Sequence, residues 1–579
     1  MAASDSIGAM TKRLGQPVAI YPALVAQTSA AEPEKGSRPL ECRPLAGYNR
    51  RRRWKMNNDV ATIAVAIPDE GCLLPAIGWK LIRGVPGCRR IGIVWNGRSS
   101  IQGEYAMFWY PRQTVSRYSQ PWLAMLFLGL GLTLAITPSQ ARGPNIVLLL
   151  ADDLGFADLA CYGHPFHETP QLDRLAQRGM RFTQFYAGPV CSPTRCNLQA
   201  GLDQARFGIT QHIPGHRRPF ARLIDPTVPL QLPLETVTFA ERLREAGYRT
   251  GYFGKWHLGG PGFAPQDQGW ETAEETKGNT MPADPVRNPE GRTALHLSQL
   301  ASDFIRDHRD HPFLLQVSFN AVHIPLSTTS RLRDKYQKKP AVAGFPCRPE
   351  YAGLLEELDT SVGAIVQAIE EVGLTDQTLV IFLSDNGGLV HEQDGDVVTS
   401  NSPLRGEKGT LYEGGIRIPS IWAWPTQIPA ASLCEIPATT IDVFATLMEV
   451  AALTPPTRTD GVSLVRLWQA PRTGLDRHEL FWHLPHYHHS TPASAIRSDD
   501  WKLIEFFEEG AVELYHLAAD PSESQNLAAV QPTIAQQMRD SLAAWRMRVQ
   551  AAIPMPNPDF DPARAQELGK SNERRSRKK

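Results

Sequence analysis

Two stretches of the chain, Pro144 to Ala151 and Thr378 to Leu383, are apolar at consecutive positions from Ile146 to Ala151 and from Leu379 to Leu383. A strand that is apolar on both sides belongs inside a parallel sheet with both faces covered. The pattern therefore predicts two inner strands, and Phe313 to Phe319 reads as another. Each run ends in polar residues: Asp152-Asp153-Leu154-Gly155 after the first, Ser384-Asp385-Asn386-Gly387-Gly388 after the second, and Asn320-Ala321-Val322-His323 after the third. Between them, Phe239, Leu243 and Ala246 recur at helical spacing, which predicts a helix over 238–246 that Gly247 stops. A short strand is expected next, with alternation placing Lys255 and His257 on one side and Trp256 on the other. Toward the carboxyl end, Ser498 to Ile504 and Glu513 to Leu517 alternate as half-buried strands do. Proline and glycine at Thr454-Pro455-Pro456-Thr457 and Ala470-Pro471-Arg472-Thr473-Gly474 mark irregular chain and predict a domain boundary near 455–475.

Composition adds limits more than direction. The 579 residues are 42% hydrophobic and 21% charged, with 60 basic and 60 acidic side chains, so the chain has ample core. A net charge of zero gives no global attraction to nucleic acid, and no nucleic-acid module is evident. The basic run from Lys570 to Lys579 reads as a solvated, disordered tail.

The chemistry lies at the ends of the apolar runs, where open α/β sheets place ligands. An isolated Asp pair after a strand is more often a turn former or cap, but the pattern occurs twice. The carboxylates of Asp152, Asp153 and Asp385, converging with the Asn386 amide, would repel one another unless a hard divalent cation sat between them, and oxygen-only donors suit calcium or magnesium. Cys191 follows Ala187-Gly188-Pro189 and precedes Pro193, which suits the first turn of a helix whose N–H groups face an anion. A lone cysteine is ordinarily a small buried hydrophobe. A Cys-x5-Arg phosphatase loop is excluded because the position where its arginine would stand is Asn197.

Cys191-Ser192-Pro193-Thr194-Arg195 resembles the C-x-P-x-R signature at which members of the sulfatase family convert cysteine to formylglycine. Gly254-Lys255-Trp256-His257-Leu258-Gly259 resembles that family's second signature, and Leu404 to Gly415 its glycine-rich segment. The resemblance runs from about Arg142 to Leu527. It implies that Asp152, Asp153, Asp385, Asn386 and the modified Cys191 hold the metal, and that Arg195 orients the modified residue. Lys255 is implied to bind sulfate oxygens, with His257 as the base that drives sulfate elimination. His323 and Lys408 are both candidates to protonate the leaving alcohol. A hydrated aldehyde has one hydroxyl to attack sulfur and a second to expel sulfate, an exit that an unmodified thiol lacks. The fold implied is α/β, a large mixed, mostly parallel sheet flanked by helices as in alkaline phosphatase, with a smaller C-terminal α+β domain bearing an antiparallel sheet. Thr194 stands where serine is more usual and keeps the hydroxyl. Cys196, a second thiol five residues from Cys191, offers a local disulfide in an oxidising compartment that would compete with modification.

Residues 142–460 are thus expected to form the catalytic domain, 461–555 the C-terminal subdomain and 556–579 the basic tail. The apolar segment Trp122 to Ile136, preceded by Arg112 and Arg117 and followed by Ser139-Gln140-Ala141, reads as a signal peptide over 107–141 and is short for a stable membrane span. Residues 1–106 then read as a non-native or disordered leader. Secretion or export to a periplasm follows, with a formylglycine-generating enzyme as maturation partner and sulfated carbohydrate as substrate. His212, His216, Arg217, Arg218, His483, His486, His488 and His489 are candidates to line the cleft, and equally read as solvated loops. Two rival readings are a phosphoryl-ester hydrolase of the same superfamily and an unmodified sulfated-glycan binding protein.

Overall fold

The apolar runs do form buried parallel strands. The protein is described by a computed structural model covering residues 143–392 and 395–569, together with one short antiparallel pair, Thr62–Ile63 with Trp79–Lys80. Residues 1–129 and 130–579 are separate compact units. The rest of the leader, the whole signal segment 107–141 and the tail from Lys570 onward lie outside the described residues.

The large sheet contains β1 (Asn145–Ala151), β2 (Met180–Tyr186), β3 (Arg249–Gly254), β4 (Thr272–Glu275), β5 (Phe313–Ser318), β6 (Thr378–Ser384), β7 (Arg417–Ala423), β8 (Ser432–Cys434) and β9 (Ala438–Thr439). Their order is β8-β2-β7-β6-β1-β5-β3-β4, with β9 also on β2. Only β7 runs antiparallel to its neighbours. The side chains of β1 show why both faces are apolar. Ile146, Leu148 and Leu150 pack into one cluster with helices α2 (Cys191–Ala200), α3 (Phe239–Glu245) and α6 (Ile441–Val450). Val147, Leu149 and Ala151 pack into the other with α1 (Pro170–Gln177), α4 (Thr293–Asp307) and α5 (Pro349–Glu371).

Local signals account for the helix ends. Thr238 accepts from the Glu241 amide and Glu241 returns the bond to the Thr238 amide, a reciprocal cap that starts α3. Gly247 takes a left-handed conformation just past its end. The strand that follows is shorter than alternation suggested. β3 stops at Gly254, so Lys255 and His257 project from a loop and not from one face of a strand. Gly254 has φ 115°, and a Cβ there would sit 1.9 Å from the Ser318 carbonyl oxygen. Only glycine lets the chain leave the sheet so abruptly.

Beyond the large sheet, Val465–Gln469 forms a short helix whose Leu467 and Trp468 join the main core, so the chain near the expected boundary is partly ordered core. Four antiparallel strands follow in sequence: β10 (Glu479–Leu484), β11 (Ala493–Ser498), β12 (Trp501–Phe506) and β13 (Val512–His516). Ile496, Leu503 and Leu514 on one face pack against α7 (Pro532–Val549). Trp482, Ala495 and Ile504 on the other pack against Tyr186, Leu411 and Ile416 of the large domain. Among the described residues, no helix is long and apolar enough to cross a membrane.

The two sheets are also joined by buried charge. Lys502 Nζ lies 3.0 Å from Glu413 Oε1 and 2.9 Å from Glu523 Oε1, and all three side chains are fully buried. Removing the cation from such a cluster leaves two buried carboxylates that Arg417, 3.5 Å from Glu413, offsets only in part. Lys502→Met is therefore expected to destabilise the protein by about 3–5 kcal/mol in urea unfolding. Adding Glu413→Gln and Glu523→Gln should recover most of that loss, and an unchanged midpoint in the single variant would show the cluster to be inert.

Candidate active site

Register is what assembles the site. β1 and β6 pair along their whole length, from Asn145 opposite Thr378 to Ala151 opposite Ser384. Asp152-Asp153 and Asp385-Asn386 therefore leave the sheet side by side, and the Asp153 amide donates to Asp385 Oδ1 at 3.2 Å. β5 and β3 end level with them, since Leu150 pairs with Ser318 and Ser318 with Gly254. Asn320 to His323 and Lys255 to His257 consequently emerge at the same edge.

Cys191 opens α2, a helix buried at every position. Its loop is fixed by two contacts: Thr194 Oγ1 accepts from the Gly188 amide at 2.7 Å, and Trp482 Nε1 donates to the Ala187 carbonyl at 2.9 Å. The first contact shows that threonine supplies the hydroxyl this turn needs. The local disulfide that the spacing of Cys191 and Cys196 offers does not form, and both thiols are free. Five residues along a helix place two side chains roughly 140° apart around its axis. Cys196 accordingly faces the hydrophobic cluster beneath the sheet.

Arg195 lies inside this arrangement with its guanidinium on a neighbouring ligand candidate. Its Nε and Nη2 donate to Asp385 Oδ2 at 3.1 and 2.7 Å, and Nη1 donates to the Lys255 carbonyl. Lys255 Nζ pairs with Asp152 Oδ2 at 2.7 Å, and Lys408 Nζ with Asp153 Oδ1 at 2.7 Å. These pairs decide the charge states. Burial opposes ionisation of Asp152, but Lys255 and His323 outweigh it and hold the carboxyl below its ordinary pKa. Burial likewise opposes ionisation of Asp153, which Lys408 and His323 hold low. Lys255 and Lys408 are raised despite burial by the same carboxylates, and both are cations. Burial raises the Cys191 thiol, so the unmodified residue is no activated thiolate.

Two histidines differ in orientation. His257 Nε2 lies 2.7 Å from the Ile213 carbonyl, which can only accept, so Nε2 carries the hydrogen. Nδ1 is left with its lone pair, buried and without a partner. Burial, with Lys255 and Arg195 adding to it, pushes this imidazole down to about 3. His323 Nδ1 donates to the Ile324 carbonyl, while Nε2 faces Asp153 Oδ2 at 3.6 Å.

Donor atoms of Asp152, Cys191 and Asp385 lie within 4.8 Å of one another, as do those of Asp152, Asp153 and His323. Asp152 Oδ1 and Asn386 Oδ1 are buried with no hydrogen-bond partner. Buried oxygens without donors are costly unless a cation or water takes them, and the carboxylate and amide oxygens in this cluster fit a hard divalent ion.

Two cavities meet here. A pocket of about 330 Å³ is lined by Cys191, Lys255, His257, His323 and Lys408, among others. A larger cleft of about 1120 Å³ shares Lys255, His257 and His323 with it and extends past Gln231, Thr276 and Lys277. Of the cleft candidates, His212, His216, His488 and His489 line the smaller pocket. His483 and His486 do not: they bond to Ser494 and the Ala552 carbonyl, and to Thr210, respectively. Arg218 does not line it: its guanidinium donates to Gln566 and, at 3.1 Å, to the His488 carbonyl, and lies against the Tyr487 ring. The Ile213 carbonyl that orients His257 was not foreseen, and no side-chain pattern could reveal a backbone acceptor brought in by a loop.

Comparison with known proteins agrees with this geometry. A family model described as Sulfatase matches residues 144–453, and one described as N-sulphoglucosamine sulphohydrolase, C-terminal, matches 406–548. A sulfatase of Formosa agariphila is 32% identical over 499 residues, covering 70% of this chain and 89% of its own. Human N-acetylgalactosamine-6-sulfatase is 33% identical over 357 residues, covering 56% of this chain and 65% of its own. Among solved structures, Ps i-CgsB in complex with k-i-k-neocarrahexaose has a TM-score of 0.61 at 23% identity, covering 72% of this chain and 95% of that one. The chain belongs to the sulfatase family and is a sulfuric ester hydrolase.

Proposed function

We propose that the protein removes sulfate from sulfated carbohydrates, using formylglycine made from Cys191 and one calcium or magnesium ion held by Asp152, Asp153, Asp385, Asn386 and residue 191. The observation that carries this reading is the buried set of Asp152, Cys191 and Asp385 donors facing two lysine cations, with two oxygens left unpartnered. Sugar as the substrate class is supported by the polar cleft adjoining the pocket and by the name of the human relative. Export is part of the reading, because the pattern over 107–141 suits a signal peptide and sulfated polymers are extracellular.

In this reading the hydrated aldehyde supplies one hydroxyl to take up sulfate and another whose deprotonation expels it, and the ion would favour the ionised hydroxyl. Lys255 and Lys408 each hold one carboxylate and keep further N–H bonds for sulfate oxygens, offsetting charge that grows as the ester S–O bond breaks. His323 lines both the pocket and the cleft, whereas Lys408 lines only the pocket. The leaving alcohol departs toward the cleft, so His323 Nε2 is the proton donor. His257 Nδ1, with its free lone pair, accepts the proton that accompanies release of sulfate.

Three outcomes are expected. The tryptic peptide Phe182 to Arg195, from a host able to make formylglycine, should carry the mass of an aldehyde in place of a thiol at Cys191. Unmodified cysteine, in a host shown to modify a control sulfatase, contradicts the reading. His323→Ala should lower kcat about 10²–10⁴-fold on alkyl or sugar sulfates. The loss should be far smaller on an aryl sulfate whose phenolate leaves without protonation, and equal losses on both would remove His323 from that role. Stripping divalent ions should abolish turnover and lower the melting temperature, because Asp152, Asp153 and Asp385 then repel one another, and calcium or magnesium should restore both. Full activity in metal-free protein would refute the assigned ion.

A further inference from the structure

We propose that His212, His216 and His488 form a second metal site, for zinc, in the wall of the catalytic pocket. One ring nitrogen from each lies within 4.8 Å of the other two. His212 and His216 come from the loop after α2, and His488 from the connection between β10 and β11, so the three meet only through docking of the C-terminal sheet. Their rings touch one another: His212 stands at 76° to His216 and 87° to His488, with centroids 4.4 and 5.6 Å apart. His488 is 9% exposed, and its Nδ1 is buried without a hydrogen-bond partner.

The donor set sorts the metal. Zinc takes imidazole nitrogen at about 2.0–2.1 Å, so three ligands around one ion stand roughly 3.3–3.5 Å apart. Modest side-chain rotations close the present spacing to that value. Three neutral nitrogens suit zinc, copper or nickel and offer nothing to calcium or magnesium, which take oxygen. The two sites in this pocket therefore select different ions. The rings are also in the protonation state that a metal requires. Burial, reinforced by His216 for His212 and by His489 for His488, holds both far below their ordinary pKa.

Charge at the site does not forbid a dication. Lys408 is matched by Asp153, and the pocket wall also carries Glu392, while Glu407 lies 3.4 Å from His489. An ion held by these three histidines narrows the pocket that Cys191, Lys255 and Lys408 share with them. Filling the site should therefore inhibit hydrolysis reversibly, giving the protein a response to zinc that is separate from its hard-cation requirement.

The test is equilibrium dialysis of the full chain against zinc in saturating calcium, with cobalt as a spectroscopic substitute. One zinc per chain is expected, with a cobalt spectrum of low coordination number. Affinity should fall at least tenfold in His216→Gln and again in His488→Gln, while calcium binding and the melting temperature stay as in the parent. His212→Gln gives a third, independent variant should either of the others fail to fold. Zinc binding that survives all three substitutions, as it would if the buried Asp158, His164 and His167 group were the site, overturns the proposal. So does binding that is lost in Asp385→Asn and kept in the histidine variants, or no binding at all. None of these readouts depends on formylglycine at residue 191.

Discussion

The whole site rests on one constraint, the in-register parallel pairing of β1 with β6. Because Ala151 stands opposite Ser384, the residues that follow each strand enter the same small volume. A slip of one residue would turn every side chain of β1 to the opposite face and separate the two acidic pairs. The register is protected by what it buries. Alternate residues of β1 fill two different hydrophobic clusters, and neither could absorb the other's side chains without repacking. Packing of the core thus fixes the spacing of the carboxylates.

That placement creates an electrostatic problem, and the neighbouring elements solve it. Three buried carboxylates at the end of a sheet are unstable alone. Lys255 arrives from the end of β3, Lys408 from the glycine-rich segment and Arg195 from α2, and each engages a different aspartate. The unpartnered oxygens of Asp152 and Asn386 are left open toward the site. Arg195 therefore acts chiefly by holding Asp385 and the Lys255 carbonyl in place.

The C-terminal sheet contributes more than a cover. Through Lys502, Glu413 and Glu523 it grips the segment that follows Lys408, and through Trp482 it holds the turn before Cys191. Gly409 donates to the Pro189 carbonyl at 2.7 Å, tying these two segments to each other. Damage to this sheet is thereby transmitted to Lys408 and to the loop before Cys191 together. The same docking brings His488 to His212 and His216.

Much of this was legible in the chain. Continuous apolar runs marked β1 and β6, and the acidic residues at their ends marked the position of the site, because inner strands and their termini are written in local pattern. The helix at 239–245 was legible for the same reason, since its spacing and cap are local. Other features depended on contacts between distant segments. Alternation failed at Lys255, because a strand ends where its partner ends, and Ser318 pairs with Gly254. The thiol of Cys196 offered a disulfide in sequence, and helix geometry turned it into the core. The eight histidines and arginines near the cleft were indistinguishable as residues. Tertiary structure sent His212, His216, His488 and His489 to the pocket and buried His483 and His486 among their own hydrogen bonds. Sequence by itself determined the strands, the order of the functional residues and their chemical types. Which of them face one another, and in what charge state, was decided only when strand register and the docking of two sheets removed them from water.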